Sequence, residues 1–163
     1  MKLFDSEYFQ RLISQAKNNS RGRQHCNIHH SYGEPCQRLF NAIEPGSCIR
    51  PRRHTTDPKE ELLVVIRCKM TLFTFDDSGK VARMVPLVAG AVNYSTSMGV
   101  EVSSDVWHTV KALESGRILL EVKAGPFDPS QPKDLPPWAP EEGTIPAKDY
   151  LDLLVELSKT MKT

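Results

Sequence analysis

Two histidines and one glutamate carry the side chains most suited to hold a divalent metal: His54, Glu61 and His108. The first two lie in residues 45–68, which read as a short strand, a turn at Asp57 and Pro58, and a second strand opening on Glu61. Side chains alternate faces along extended chain, so Arg50, Arg52 and His54 project from one side. Glu61 can then face back toward His54. An imidazole and a carboxylate converging from adjacent strands begin a site for zinc, manganese, iron or nickel. His108, behind Trp107 at the opening of a later strand, is the candidate for its second half. Glu60 is the alternative carboxylate at this position.

The elements that must position these groups follow from pattern. Residues 3–17 read as a helix with Phe9, Leu12, Ile13 and Ala16 on one stripe and Asp5 or Ser6 as cap. Residues 18–36 are polar and turn-rich and read as an ordered arm carrying His25, Asn27, His29 and His30. Asn27 and His29 are candidate ligand contacts, with a solvated loop as the plainer alternative. Residues 37–125 form short strands split by turns, at 39–43, 62–66, 70–75, 81–88, 100–102, 107–113 and 118–123, with Asp76-Asp77-Ser78-Gly79 as a hairpin turn. Short strands without intervening helices argue a mainly-β antiparallel sandwich or barrel. Seven prolines between 126 and 146 exclude a central strand there and predict an extended strap, anchored by Trp138. A final helix follows, with Pro146 in its first turn and Tyr150, Leu153, Leu154 and Leu157 as its apolar stripe. The division is thus 1–36, helix and arm; 37–125, barrel; 126–163, strap and helix, all in one globular unit.

Composition narrows the partners. With 39% apolar and 25% charged residues and a net charge of +1, no global field recruits nucleic acid or an anionic membrane. The longest aliphatic run, residues 62–66, is too short to span a bilayer, and acids occupy the N-terminus where a signal peptide needs an apolar core. A cytoplasmic protein with a small-molecule ligand is expected. Cysteines 26, 36, 48 and 68 form no Cys-x-x-Cys pair and read as reduced thiols. Glu121 and Lys123 share a face of the last strand; in a barrel lumen they form a candidate acid/base pair with Glu121 catalytic, and on the surface a mere ion pair.

Larger blocks carry a family resemblance. Asn27-Ile28-His29, the run from Gln37 to Gly46, Arg50-Pro51-Arg52-Arg53-His54, Trp107-His108-Thr109, the run from Glu121 to Pro126 and the run from Trp138 to Gly143 together resemble the WbuC-type cupin-fold metalloprotein family. The resemblance implies a double-stranded β-helix, the cupin jelly-roll barrel, with flanking N- and C-terminal helices. It also implies a metal held by three histidines and one glutamate, a homodimer, and a role in surface-polysaccharide biosynthesis. His54, Glu61 and His108 match three of those ligands. Arg52 stands where the family has its first histidine, and a guanidinium has no lone pair to donate. Cys68 replaces the glycine that closes the strand, and Ser103 and Asp105 replace the proline and glycine of the second turn. Metal binding is therefore expected to be weakened, with His29, His30 or Asp105 as replacement ligands, or with Arg50 and Arg52 clamping an anion. Trp107 reads as a core wedge or as a ligand-stacking platform. Two functions compete: a metal-dependent sugar-modifying enzyme, and a non-catalytic binding module.

Overall fold

Asp5 accepts a hydrogen bond from the Tyr8 amide at 2.8 Å and so starts helix α1, Ser6–Asn18. The computed structural model describes residues 1–91, 96–130 and 133–160. The chain then runs through β1 (Arg23–Asn27), β2 (Cys36–Ile43), β3 (Glu61–Arg67), β4 (Lys69–Phe75), β5 (Val81–Val88), β6 (Gly99–Val102), β7 (Trp107–Ala112) and β8 (Arg117–Ala124) to helix α2, Ile145–Lys159. The strands form two antiparallel sheets, ordered β1-β2-β8-β3-β6 and β5-β4-β7. Their inner faces enclose a core of Ile43, Leu63, Val65, Met70, Leu72, Leu87, Val110 and Leu119.

Both helices cover outer faces. Leu12, Ile13 and Ala16 of α1 pack on Phe40, Ala42 and Ile118. Thr144 caps α2, Pro146 sits in its first turn, and Leu154 packs with Phe73, Phe75 and Trp107. Leu153 departs from the expected stripe: it is 53% exposed. The strap is anchored as its sequence implies. The Trp138 ring packs on Phe75 and Trp107 and fills the space a side chain at Gly79 would need, 2.6 Å from an added Cβ. Pro132 lies outside the described residues.

Two expectations are corrected. The arm at 18–36 contains β1, paired with β2 from Arg23↔Ile43 to Asn27↔Leu39. The segment before the Asp57 turn is no continuous strand; Arg52 and Arg53 make single bridges, to His108 and Asp134. Cys68, between β3 and β4, adopts φ +67°, the left-handed region that a glycine would occupy without strain.

Candidate functional site

Register decides which side chains meet. On the five-stranded sheet Glu61 pairs with Lys123, which pairs with Gln37; one step in, Leu63 pairs with Glu121, which pairs with Leu39. Both rows face the lumen. From the other sheet His108 points inward, and the bridge between Arg52 and His108 ties the preceding loop to β7. Ligand atoms of His54, Glu61 and His108 all lie within 4.8 Å of one another.

Glu61 is the hub. Only 1% exposed, it stands 3.0 Å from His54 Nε2 and 3.1 Å from His108 Nε2, and it accepts from Arg52 Nη2 at 3.3 Å and Lys123 Nζ at 3.1 Å. Burial pushes its carboxyl up, but Arg52, His108, His54 and Lys123 together outweigh it and hold it well below the usual carboxylate range. Burial likewise opposes the charge on Arg52, and Glu61 and Glu121 more than reverse that. Lys123 follows the same balance, raised by Glu121 and Glu61 against burial. Lys123 also lies 3.2 Å from Glu121, and Arg52 3.8 Å.

The imidazoles are set as ligands. His108 Nδ1 is 2.9 Å from the Val106 carbonyl, which can only accept, so Nδ1 carries the hydrogen. Neutral His108 then turns its Nε2 lone pair on Glu61 Oε2, two acceptors face to face; a cation between them, or a second proton on the ring, reconciles them. His54 Nε2 is buried without a hydrogen-bond partner despite its nearness to Glu61. Three donors of nitrogen and oxygen type thus fit a divalent ion with positions open. Arg52 and Lys123 compete with it for the same carboxylate.

Beside this group opens a cavity of about 490 Å³, lined by Arg50, Arg52, His108, Glu121 and Lys123 and, from β1 and the loop after it, by His25, Asn27 and His29. The structure therefore brings together His54, Glu61 and His108, with Arg52 and Glu121 against them and Arg50, Asn27 and His29 along the wall. Trp107 is the exception. It neighbours an inward residue on a strand, so it must point outward; its ring lies in the cluster beneath α2, its Nε1 donates to Asp77 at 3.0 Å, and Arg53 covers its face. Its expected ligand contact is corrected to a core role. His30 and Asp105 are exposed and outside the ligand group, while the ring of His29 is held by the Arg38 backbone.

Two wall residues and one tie escaped sequence reasoning. Asn41 interrupts an apolar strand at a lumen position, a signal that was present in the pattern. Lys133 arrives from the strap, and Lys123 reaches Glu61 only through the β3–β8 register; neither can be read from local sequence.

Comparison with solved structures shows a mainly-β, cupin-like fold. The protein SO0799 from Shewanella oneidensis superposes with TM-score 0.58 at 10% identity, covering 82% of this chain and 85% of its own. The TT1209 protein from Thermus thermophilus gives 0.52 at 17% identity, over 76% of this chain and 97% of its own. Oxalate decarboxylase from Bacillus subtilis, described with Mn(II) centres, gives 0.50 at 15% identity, over 69% of this chain and 27% of its own. No curated protein matches the chain. Residues 4–87, just over half of the sequence, match the family described as Domain of unknown function (DUF6016), and the chain belongs to that family.

Proposed function

We propose that this is a divalent-metal cupin that binds, and acts on, a small polar ligand in the cavity beside His54, Glu61 and His108. The observation that carries this reading is the convergence of those three ligand groups within 4.8 Å at the cavity wall. Zinc, manganese, iron and nickel all suit such a donor set; a likeness in fold to a protein with Mn(II) centres supports manganese among them. A bound ion would polarise a ligand oxygen. The chain's own residues supply the rest: the His108 Nδ1 bond to Val106 fixes that ring, and Lys123 and Arg52 hold Glu61 and Glu121 in place. Glu121 is the proposed proton acceptor, and Arg50, Arg52, Asn27 and His29 the proposed ligand contacts. The WbuC-type resemblance supports a ligand from among the sugars or sugar nucleotides of polysaccharide metabolism.

One observation favours a second reading, a binding module without metal chemistry: Arg52 and Lys123 already occupy the carboxylate that the ion needs. Metal analysis of the purified protein separates the two. On the first reading the parent takes up one equivalent on titration, His108→Ala takes up none, and Arg52→His tightens binding at least about tenfold by exchanging a cation for a ligand. A parent that takes up no metal, beside an Arg52→His variant that fills, supports the second.

A further inference from the structure

Away from Glu61 the cavity wall is built differently. Asn41 and His29 line it and are only 5% and 6% exposed. Asn41 Oδ1 is buried with no hydrogen-bond partner among the described residues, and so is His29 Nε2. The other ring nitrogen of His29 is spent on the Arg38 backbone, at 2.9 Å from its oxygen and 3.0 Å from its nitrogen. Buried polar atoms are paired in folded proteins far more often than not, and an orphan on a cavity wall marks where a ligand atom belongs. An amide oxygen accepts only, so the group that meets Asn41 is a donor such as a hydroxyl.

The same wall carries two cations that no carboxylate pairs among the described residues, beside Arg52, which Glu61 and Glu121 share. Among the described residues neither Arg50 nor Lys133 has an acid within ion-pair distance, and Arg50 Nη2 donates to the Pro136 carbonyl while its Nε is buried and unpaired. Arg52 spends one nitrogen on Glu61 and keeps a buried Nε free. Arg52 and Lys133 both line the cavity, and the charge of Arg52, ahead of burial, pushes Lys133 down to about 8 although Glu121 and Glu61 pull the other way.

We propose that the cavity takes a small hydroxylated acid, a polyol of about hexose size bearing a carboxylate or phosphate, with hydroxyls on Asn41 and His29 and the acidic group at Arg50, Arg52 and Lys133. This rests on the reading of the cavity as the ligand site, and not on the metal. Hydroxyls alone would leave Arg50 and Lys133 without an ion-pair partner. An acid alone would leave the amide oxygen bare. The cavity of about 490 Å³ holds one such molecule with room for water.

Calorimetric titration of the full chain with four probes tests this: gluconate, glucose 6-phosphate, glucose and hexanoate. At least one of the first two binds at least about tenfold tighter than glucose and than hexanoate, and the better of the pair tells carboxylate from phosphate. Asn41→Ala weakens that acid about tenfold and leaves hexanoate unchanged, whereas Lys133→Ala weakens the acids and leaves glucose unchanged. Lys133 is exposed, so its variant folds and carries the test even where the buried Asn41 variant does not. Binding of glucose or hexanoate as tight as the acids, or binding of neither acid to folded protein, overturns the proposal. The titrations are run on chelated and on metal-loaded protein. Metal uptake without acid binding sinks this inference alone, and acid binding without metal uptake sinks the metal reading alone.

Discussion

The barrel lumen has two ends made from the same strands, and they differ in kind. Inward positions along β3 read Glu61, Leu63, Val65; along β8, from the same end, Lys123, Glu121, Leu119; along β7, His108, Val110, Ala112. A period of two puts all of these on one face, and within that face charge gives way to hydrocarbon over two or three steps. At the apolar end Ile43, Leu63, Val65, Leu119 and Ala112 are at most 2% exposed, and each large side chain there contributes roughly 1.5–3 kcal/mol. At the polar end one carboxylate meets two imidazoles, a guanidinium and an ammonium. Buried ion pairs add little net stability because desolvation offsets their attraction, yet removing one partner is costly. The apolar end therefore holds the fold, and it positions the polar end because Leu63 and Glu61 ride one strand.

The sharpest way to break this comparison is to move an acid from one end to the other. Val65→Glu places a carboxylate where its neighbours are Leu119 and other aliphatic side chains. The expected loss is at least about 4 kcal/mol, enough to leave much of the protein unfolded at 37 °C, read by urea melts. A folded Val65→Glu variant within 1 kcal/mol of the parent, on the order of an exposed substitution, would mean that the apolar end is wet. Next in size is Glu61→Leu. It fills the space but strips Arg52 and Lys123 of their shared acid, leaving them Glu121 alone. Stability should fall by about 3 kcal/mol and metal uptake should vanish, measured by calorimetry and metal analysis on the same sample.

The two ends were not equally legible. The unbroken aliphatic run at residues 62–66 announced β3, and the Asp76 turn announced the hairpin between β4 and β5, because a short apolar run bounded by polar and turn residues is the signal of a buried strand. β1 was hidden by the function it serves: its inward residues Arg23, His25 and Asn27 line the cavity, so Arg23-Gln24-His25-Cys26-Asn27 shows no alternation and resembles a loop. His54, Glu61 and His108 were legible as types with strand neighbours. Their ties to Lys123 and Lys133 depend on register across the sheet and on the path of the strap, and neither is encoded locally. Trp107 was legible as a core wedge or a ligand platform, and its inward-facing neighbour His108 decides for the core.

Lys111 sharpens the contrast from outside the lumen. It lies on the outer face of β7, 1% exposed, with Nζ donating to the Pro45 carbonyl. Burial pushes it down to about 8 from 10.5. Below pH 8 the folded protein bears the cost of a buried ammonium; between about 8 and 10.5 the unfolded chain holds more protons than the folded one, so this group's penalty is relieved as pH rises. Lys111→Met should stabilise the protein by about 2 kcal/mol at pH 7, after the lost hydrogen bond to Pro45, and its advantage should shrink toward pH 10 in paired thermal melts.

The smallest effect is expected at Cys68, past the apolar end where the chain crosses from one sheet to the other. Its φ of +67° lies in the left-handed region, in which an L side chain costs roughly 1–2 kcal/mol and glycine costs nothing. Glycine is also the more flexible residue when unfolded, which returns about half of that gain. Cys68→Gly should therefore raise stability by about 0.5–1 kcal/mol, a few degrees in melting temperature for a chain of this size. Cys68 is exposed, so no packing is lost to confuse the reading. Metal uptake and acid binding should be unchanged, because the substitution acts at the end of the lumen that carries no chemistry. A stabilised variant with altered metal content would show that strain at the crossover is transmitted along β3 to Glu61, and the two ends would then have to be treated as one.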